Sequence, residues 1–142
     1  MIGIREYAIY MQQVVDEIPA LKEMIMVAED NHAINRLKDK PGMILAAVIP
    51  NSQGTGDVGM SSDKQTGYLF VIEKRSNDAT QQKEIDQYGR TQDAMLAVRS
   101  KIEEDAEDGC SPFTRLEISS IGIEPEFNIF GGWNGWSMLF TF

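Results

Sequence analysis

Histidine and cysteine are almost missing from this chain, each occurring once, as His32 and Cys110. Metal centres and hydrolytic triads draw on several such residues, so the composition speaks against both. A lone cysteine forms no internal disulfide, and a reducing compartment is the default that follows. Cys110 sits just after Glu103, Glu104, Asp105, Glu107 and Asp108. Those carboxylates raise a thiol's pKa, so Cys110 reads as a loop thiol rather than a nucleophile. His32 reads as a surface or capping residue. Clustered bases are lacking too: Arg36-Lys38-Lys40 and Lys74-Arg75 are the densest groups, too few to grip a nucleic-acid backbone. The longest apolar run, Met43 to Ile49, spans seven residues. A membrane-crossing helix needs about 20. No basic, then apolar, secretory leader is visible, and there is no internal repeat.

What is present is an ordinary globular balance, 42% hydrophobic and 25% charged over 142 residues. That is the length of one domain, and 1–142 is read as a single unit. The net charge is −9, and residues 77–112 carry −5 of it.

Helical spacing of Ile4, Tyr7, Met11, Val14, Val15 and Ile18 predicts an amphipathic helix over 3–18. Pro19 interrupts it, and Leu21, Met24, Ile25 and Ala28 predict a second, short helix over about 20–30. Residues 31–42 are polar and end in the turn signal Lys40-Pro41-Gly42. Met43–Ile49 suits a buried strand, and Tyr68 to Glu73 a second one. Between them, residues 51–66 form a long glycine-rich hairpin loop. Asp78 or Thr80 can cap the next helix, and Gly109 can stop it. Gly89 weakens its first turns, leaving 91–108 as the firm part. A third strand runs from Phe113 to about Ile123, where Glu124-Pro125 breaks it. Gly131-Gly132 and Asn134-Gly135 mark turns, and Trp136–Phe142 is the last strand. The order helix, helix, strand, strand, helix, strand, strand predicts an α+β two-layer fold. Its mainly antiparallel four-stranded sheet packs against the N-terminal helices and one long central helix.

Gly54-Thr55-Gly56-Asp57-Val58-Gly59 has the spacing of a dinucleotide-binding turn. That chemistry needs a helix to begin there, and only Met60 to Thr66 separate the run from the next strand. A flexible hairpin tip is the better reading, with Gly54, Gly56, Asp57 and Gly59 as candidate contact residues. The acidic run holding Glu103, Glu104 and Asp105 opposes the dipole at its helix end. It reads as a solvated face, as a contact with a basic neighbour, or as a surface that repels anions. Six of the twelve aromatics fall in residues 127–142. Phe127, Phe130 and Trp133 lie in the connection outside the alternating strand. They are candidate interface aromatics if exposed, or pins of the turn if not. Trp136 is expected to be buried, with its indole N–H paired.

One resemblance goes further. It is carried by Gly67-Tyr68-Leu69-Phe70-Val71-Ile72-Glu73, by the helix from Thr91-Gln92 to Ile102, and by the ending from Ile123-Glu124-Pro125-Glu126-Phe127 through GGWNGWSMLFTF. In layout, residues 43–142 resemble small neck and tail-completion proteins of tailed bacteriophages, the tail terminators among them, of a type seen in phages of Bacteroides-like hosts. The resemblance implies a virion structural protein made in the host bacterial cytoplasm. It implies a closed ring of this chain, commonly a hexamer, that ends the tail tube and joins it to the head connector. Adjacent neck and tail proteins would be its partners, and DNA would pass an acidic lumen without specific binding. The 51–66 loop would be an arm reaching an adjacent ring or subunit. No catalytic residue, cofactor, metal or membrane contact is expected. The competing expectations are a non-viral α+β dimer that binds a small ligand or partner protein, and an enzyme using clustered acids.

Overall fold

The structure, a computed structural model, describes residues 1–60 and 62–142. Eight elements follow one another: α1 (Ile4–Glu17), β1 (Leu21–Val27), α2 (Asp30–Leu37), β2 (Met43–Thr55), β3 (Ser62–Lys74), α3 (Gln81–Glu107), β4 (Glu117–Ile129) and β5 (Trp133–Thr141). The strands form one five-stranded sheet in the order β1-β2-β3-β5-β4. β1 runs parallel to β2, and every other pair is antiparallel. The α+β class expected from the sequence is present, with one strand more than expected.

The difference lies at residues 20–30, which form a strand and not a second helix. Leu21, Ile25 and Val27 are buried. Ile25 and Val27 face one core, while Leu21, across a register shift from Glu23, faces the other with the half-buried Met24 and Met26. A strand covered on both faces has no clean alternation, and its apolar residues can mimic helical spacing. The second helix comes later, as α2, within the polar stretch 31–42. Only its Ala33 and Leu37 are buried, four residues apart.

Both faces of the sheet carry helices, so the layering exceeds two. On the first face, α1 and α3 pack through Met11, Val14, Met95 and Val98 onto Leu45, Leu69, Val71 and Met138. Full burial of each such side chain stabilises by about 1.5–3 kcal/mol. Phe113, in the α3–β4 connection, ties this core to the chain end. Its ring centroid lies 5.5 Å from Tyr10, 5.1 Å from Phe140 and 4.6 Å from Phe142. On the second face, α2 sits over Ile25, Val27, Ile44 and Ala46, with Phe70, Ile72 and Trp133 alongside. The run Met43–Ile49 thus feeds both cores from alternate residues, as its unbroken apolar character requires.

α3 is helical from Gln81, ten residues ahead of its expected firm start. Thr80 caps it, its hydroxyl accepting from the Lys83 N–H at 3.3 Å. Three further bonds hold its first half down. Gln87 Nε2 donates to the Lys74 carbonyl, Asn134 Nδ2 donates to Gln87 Oε1, and Tyr88 Oη donates to the Glu126 carbonyl. They outweigh the propensity cost of Gly89. β4 also runs on through Pro125, which was expected to break it. Edge strands tolerate proline because one side of their backbone faces no partner.

Candidate functional site

The hairpin expected as a loop over 51–66 is a ribbon for most of its length. Ser61 within it lies outside the described residues. Pairing continues from Asn51↔Thr66 through Ser52↔Gln65, Gln53↔Lys64 and Gly54↔Asp63 to Thr55↔Ser62. β1 stops at Val27, opposite Val48, and β5 stops beside Thr66 at Thr141. The outer three pairs therefore project past the sheet as a two-stranded arm. A register shift between Val48 and Asn51, at Ile49-Pro50, sets the arm off from the sheet.

The root of the arm is fixed from both sides. Phe142 and Gln65 exchange backbone hydrogen bonds of 2.8 and 2.9 Å. The buried Gln65 side chain accepts from the Ile2 N–H at 3.0 Å, and the Met1 ammonium meets Asp63 at 2.9 Å. Every residue from Asn51 to Met60 is exposed. The tip turns through Gly56 and Gly59, at φ of +91° and +86°. The Met60 N–H donates to the Asp57 carbonyl at 2.9 Å. Gly54 lies in β2, and among the described residues no helix starts near this run, so the dinucleotide spacing has no helix N-terminus behind it. Asp57 is exposed on the tip. Two apolar residues that sequence reasoning passed over stand there with it: Val58, 106% exposed, and Met60, 83% exposed. Their signal was available, as apolar side chains isolated in a polar, glycine-rich turn.

The acids at the end of α3 divide into two kinds. Glu103 pairs with Arg99 at 2.7 Å. Asp105 is drawn inward, accepting from Tyr10 Oη at 2.9 Å and pairing with Lys101 at 3.0 Å. Lys101 also reaches Glu17 at 2.7 Å, so this group clasps α1 to α3. Burial, and then the bond to Asp105, push the Tyr10 phenol well up. The bonds to Glu17 and Asp105 raise the Lys101 ammonium. Glu104 is exposed. Of the three, Glu104 is the acid most free to face a neighbour.

The C-terminal aromatics also separate. Trp133 is 4% exposed and opens β5 opposite Lys74, so it belongs to the core and not to a connection. Phe130 is half-buried, edge-on to Phe70 at 4.9 Å. Phe127 stays 57% exposed, with the Arg75 guanidinium 5.0 Å from its ring centre. Trp136 is half-buried rather than fully enclosed. Its indole N–H is paired as expected, donating to the Tyr88 carbonyl at 2.9 Å.

Among the described residues no group of three or more His, Cys, Asp or Glu side chains could hold a metal ion. No helix of the described residues is long and apolar enough to cross a membrane. No protein-family model matches the chain, and no curated protein matches it.

Proposed function

We propose that this chain is a structural subunit of a tailed-phage neck or tail. In this reading copies of it close into a ring that terminates the tail tube and joins it to the head connector. The observation that carries the reading is the arm. A two-stranded ribbon without a third strand is marginal in water. This one is anchored at its root and holds Val58 and Met60 fully in solvent at its tip. Burying each against a neighbour is worth about 1.5–3 kcal/mol. A contact between an arm and a different surface of the next copy is heterologous, and such contacts close into rings when the rotation allows. The net charge of −9 suits a passage for DNA, because a negative wall holds a polyanion weakly. The subunit would be made in the host cytoplasm and end in the virion, against the neighbouring neck and tail proteins.

Native mass spectrometry of the purified chain over a wide concentration range tests this. Closed species of one subunit number, six being expected, support the ring. A dimer at every concentration overturns it in favour of a dimeric binding protein.

A further inference from the structure

The arm leaves one end of β3, and a second exposed patch surrounds the other end, where β5 starts beside Lys74. There Phe127 is 57% exposed and Ile34 of α2 is 41% exposed. Gly131 lies beside Ile34, and a Cβ on it would stand 3.8 Å from that side chain. The Arg75 N–H donates to the Gly132 carbonyl at 2.7 Å, and the Arg75 guanidinium lies 5.0 Å from the Phe127 ring centre. Phe127, Arg75, the glycine turn and Ile34 are therefore contiguous.

The backbone holds this patch in one shape. Asn128 and Phe130 have φ of +54° and +50°, in the left-handed region that a residue as bulky as phenylalanine rarely enters. The Asn128 N–H donates to Asn134 Oδ1 at 2.7 Å, and the Gly132 N–H donates to the Ile129 carbonyl at 3.0 Å. Phe130 packs edge-on against Phe70. A surface fixed in advance loses little freedom on binding. Aromatic and arginine side chains are enriched among the residues that dominate binding energy at protein contacts.

The charge of this patch is opposite to that of the arm tip. Among the described residues, Arg75 and the exposed Lys74 belong to no ion pair, and neither does Asp57. The neighbouring acids are engaged: Glu73 pairs with Arg90 at 2.9 Å, and Glu126 accepts from Ser137 Oγ at 2.8 Å. At the tip, Asp57 stands exposed with Val58 and Met60. A carboxylate matches the guanidinium fork, and a methionine thioether packs favourably on an aromatic ring. The chain cannot make this match within itself. The 13 residues of β3 separate tip from patch, and at about 3.3 Å each they span about 40 Å.

We infer that the patch around Phe127 and Arg75 is the acceptor for the arm tip of a second copy, with Met60 on Phe127 and Asp57 on Arg75. When that copy's own tip reaches a third, the contact is heterologous and can close into a ring. The inference rests on the ring proposed above and names the surface that its arm grips. The net charge of −9 does not oppose a local contact between opposite charges, because repulsion is screened beyond about 8 Å at physiological salt.

Sedimentation velocity and thiol cross-linking test it, on the full chain with the exposed Cys110 replaced, Cys110→Ser. Phe127→Ser should weaken self-association about thirtyfold. Arg75→Asp and Asp57→Arg should each weaken it about tenfold, and the two together should restore it to within about threefold. Leu96→Ser removes a comparably exposed apolar side chain from α3 and should leave association within about twofold. Met60→Cys with Phe127→Cys should link into covalent oligomers under diamide, while neither single variant links to itself. Circular dichroism confirms that each variant folds, and the charge exchange keeps the test decisive if Phe127→Ser does not. Assembly that survives Phe127→Ser without a 60-to-127 link overturns the inference and leaves the ring standing. A charge exchange that restores nothing overturns the inference too. A compact dimer carrying the 60-to-127 link supports the acceptor and overturns the ring. A chain that stays monomeric at every concentration overturns both.

Discussion

Replacing residues 53–64 with Asn-Gly should leave the domain about as stable as the intact chain while removing its assembly. Ser52 and Gln65 are cross-strand partners, so the two-residue replacement can form a type I′ turn between them. Gln65 keeps its bonds to Ile2 and Phe142. Two ion pairs are lost, Met1–Asp63 at 2.9 Å and Lys64–Glu117 at 3.3 Å. All four groups are at least 45% exposed, and such pairs contribute about 0–1 kcal/mol each. Residues Asn51 to Met60 are exposed, so little apolar burial is forfeited. Against these losses, each halving of a connection returns about 0.6 kcal/mol of closure entropy. The terms nearly cancel, and the expected change is within about 1 kcal/mol. Urea unfolding, followed by the fluorescence of Trp133 and Trp136, measures it. A loss above about 3 kcal/mol would refute the reasoning, because it would make the arm an integral part of the core. Ring formation at undiminished strength would refute the arm's role.

Three other perturbations probe the fold. Gly89→Ala should raise stability by about 0.5–1 kcal/mol in a thermal melt, because nothing lies within 4 Å of the added methyl group. Gly135→Ala should cost about 3 kcal/mol or more, since its Cβ would run into the Val71 carbonyl oxygen and force β3 and β5 apart; an unchanged urea midpoint would contradict that contact. All four tyrosines have pKa values raised above 10.0, with burial the leading cause, most strongly at Tyr7 and Tyr10. The folded state therefore favours the neutral phenol. Its stability holds below about pH 10 and falls above it, as the unfolded chain ionises first. Phenolate absorbance from Tyr7 and Tyr10 should rise only together with loss of circular dichroism; ionisation near pH 10 in the folded state would refute their burial.

Much of the architecture was legible where local pattern and tertiary role agree. α1, the capped α3 and the central β2–β3 hairpin follow from spacing, from Thr80 and from the run Met43–Ile49. The misread parts share a cause, which is that their state depends on distant partners. β1 exists because Leu21–Val27 pairs in parallel with Met43–Val48, a contact no local window contains. Its two methionines, good helix formers that fill irregular gaps, made the segment look helical. β4 passes through Pro125 because it lies at the sheet edge, a position set by the whole topology. Residues 51–55 and 62–66 are strands through backbone pairing alone, without side-chain alternation to betray them. At the candidate site, composition marked the glycine-rich tip and the acidic helix end. It could not distinguish the inward Asp105 from the exposed Glu104, or the buried Trp133 from the exposed Phe127.

Electron microscopy of the purified chain, beside the variant with Asn-Gly in place of residues 53–64, tests the central claim most directly. The account predicts closed rings of uniform subunit number with a central opening for the intact chain, and none for the variant. Compact dimers without any closed ring, or rings that persist without the arm, would contradict it.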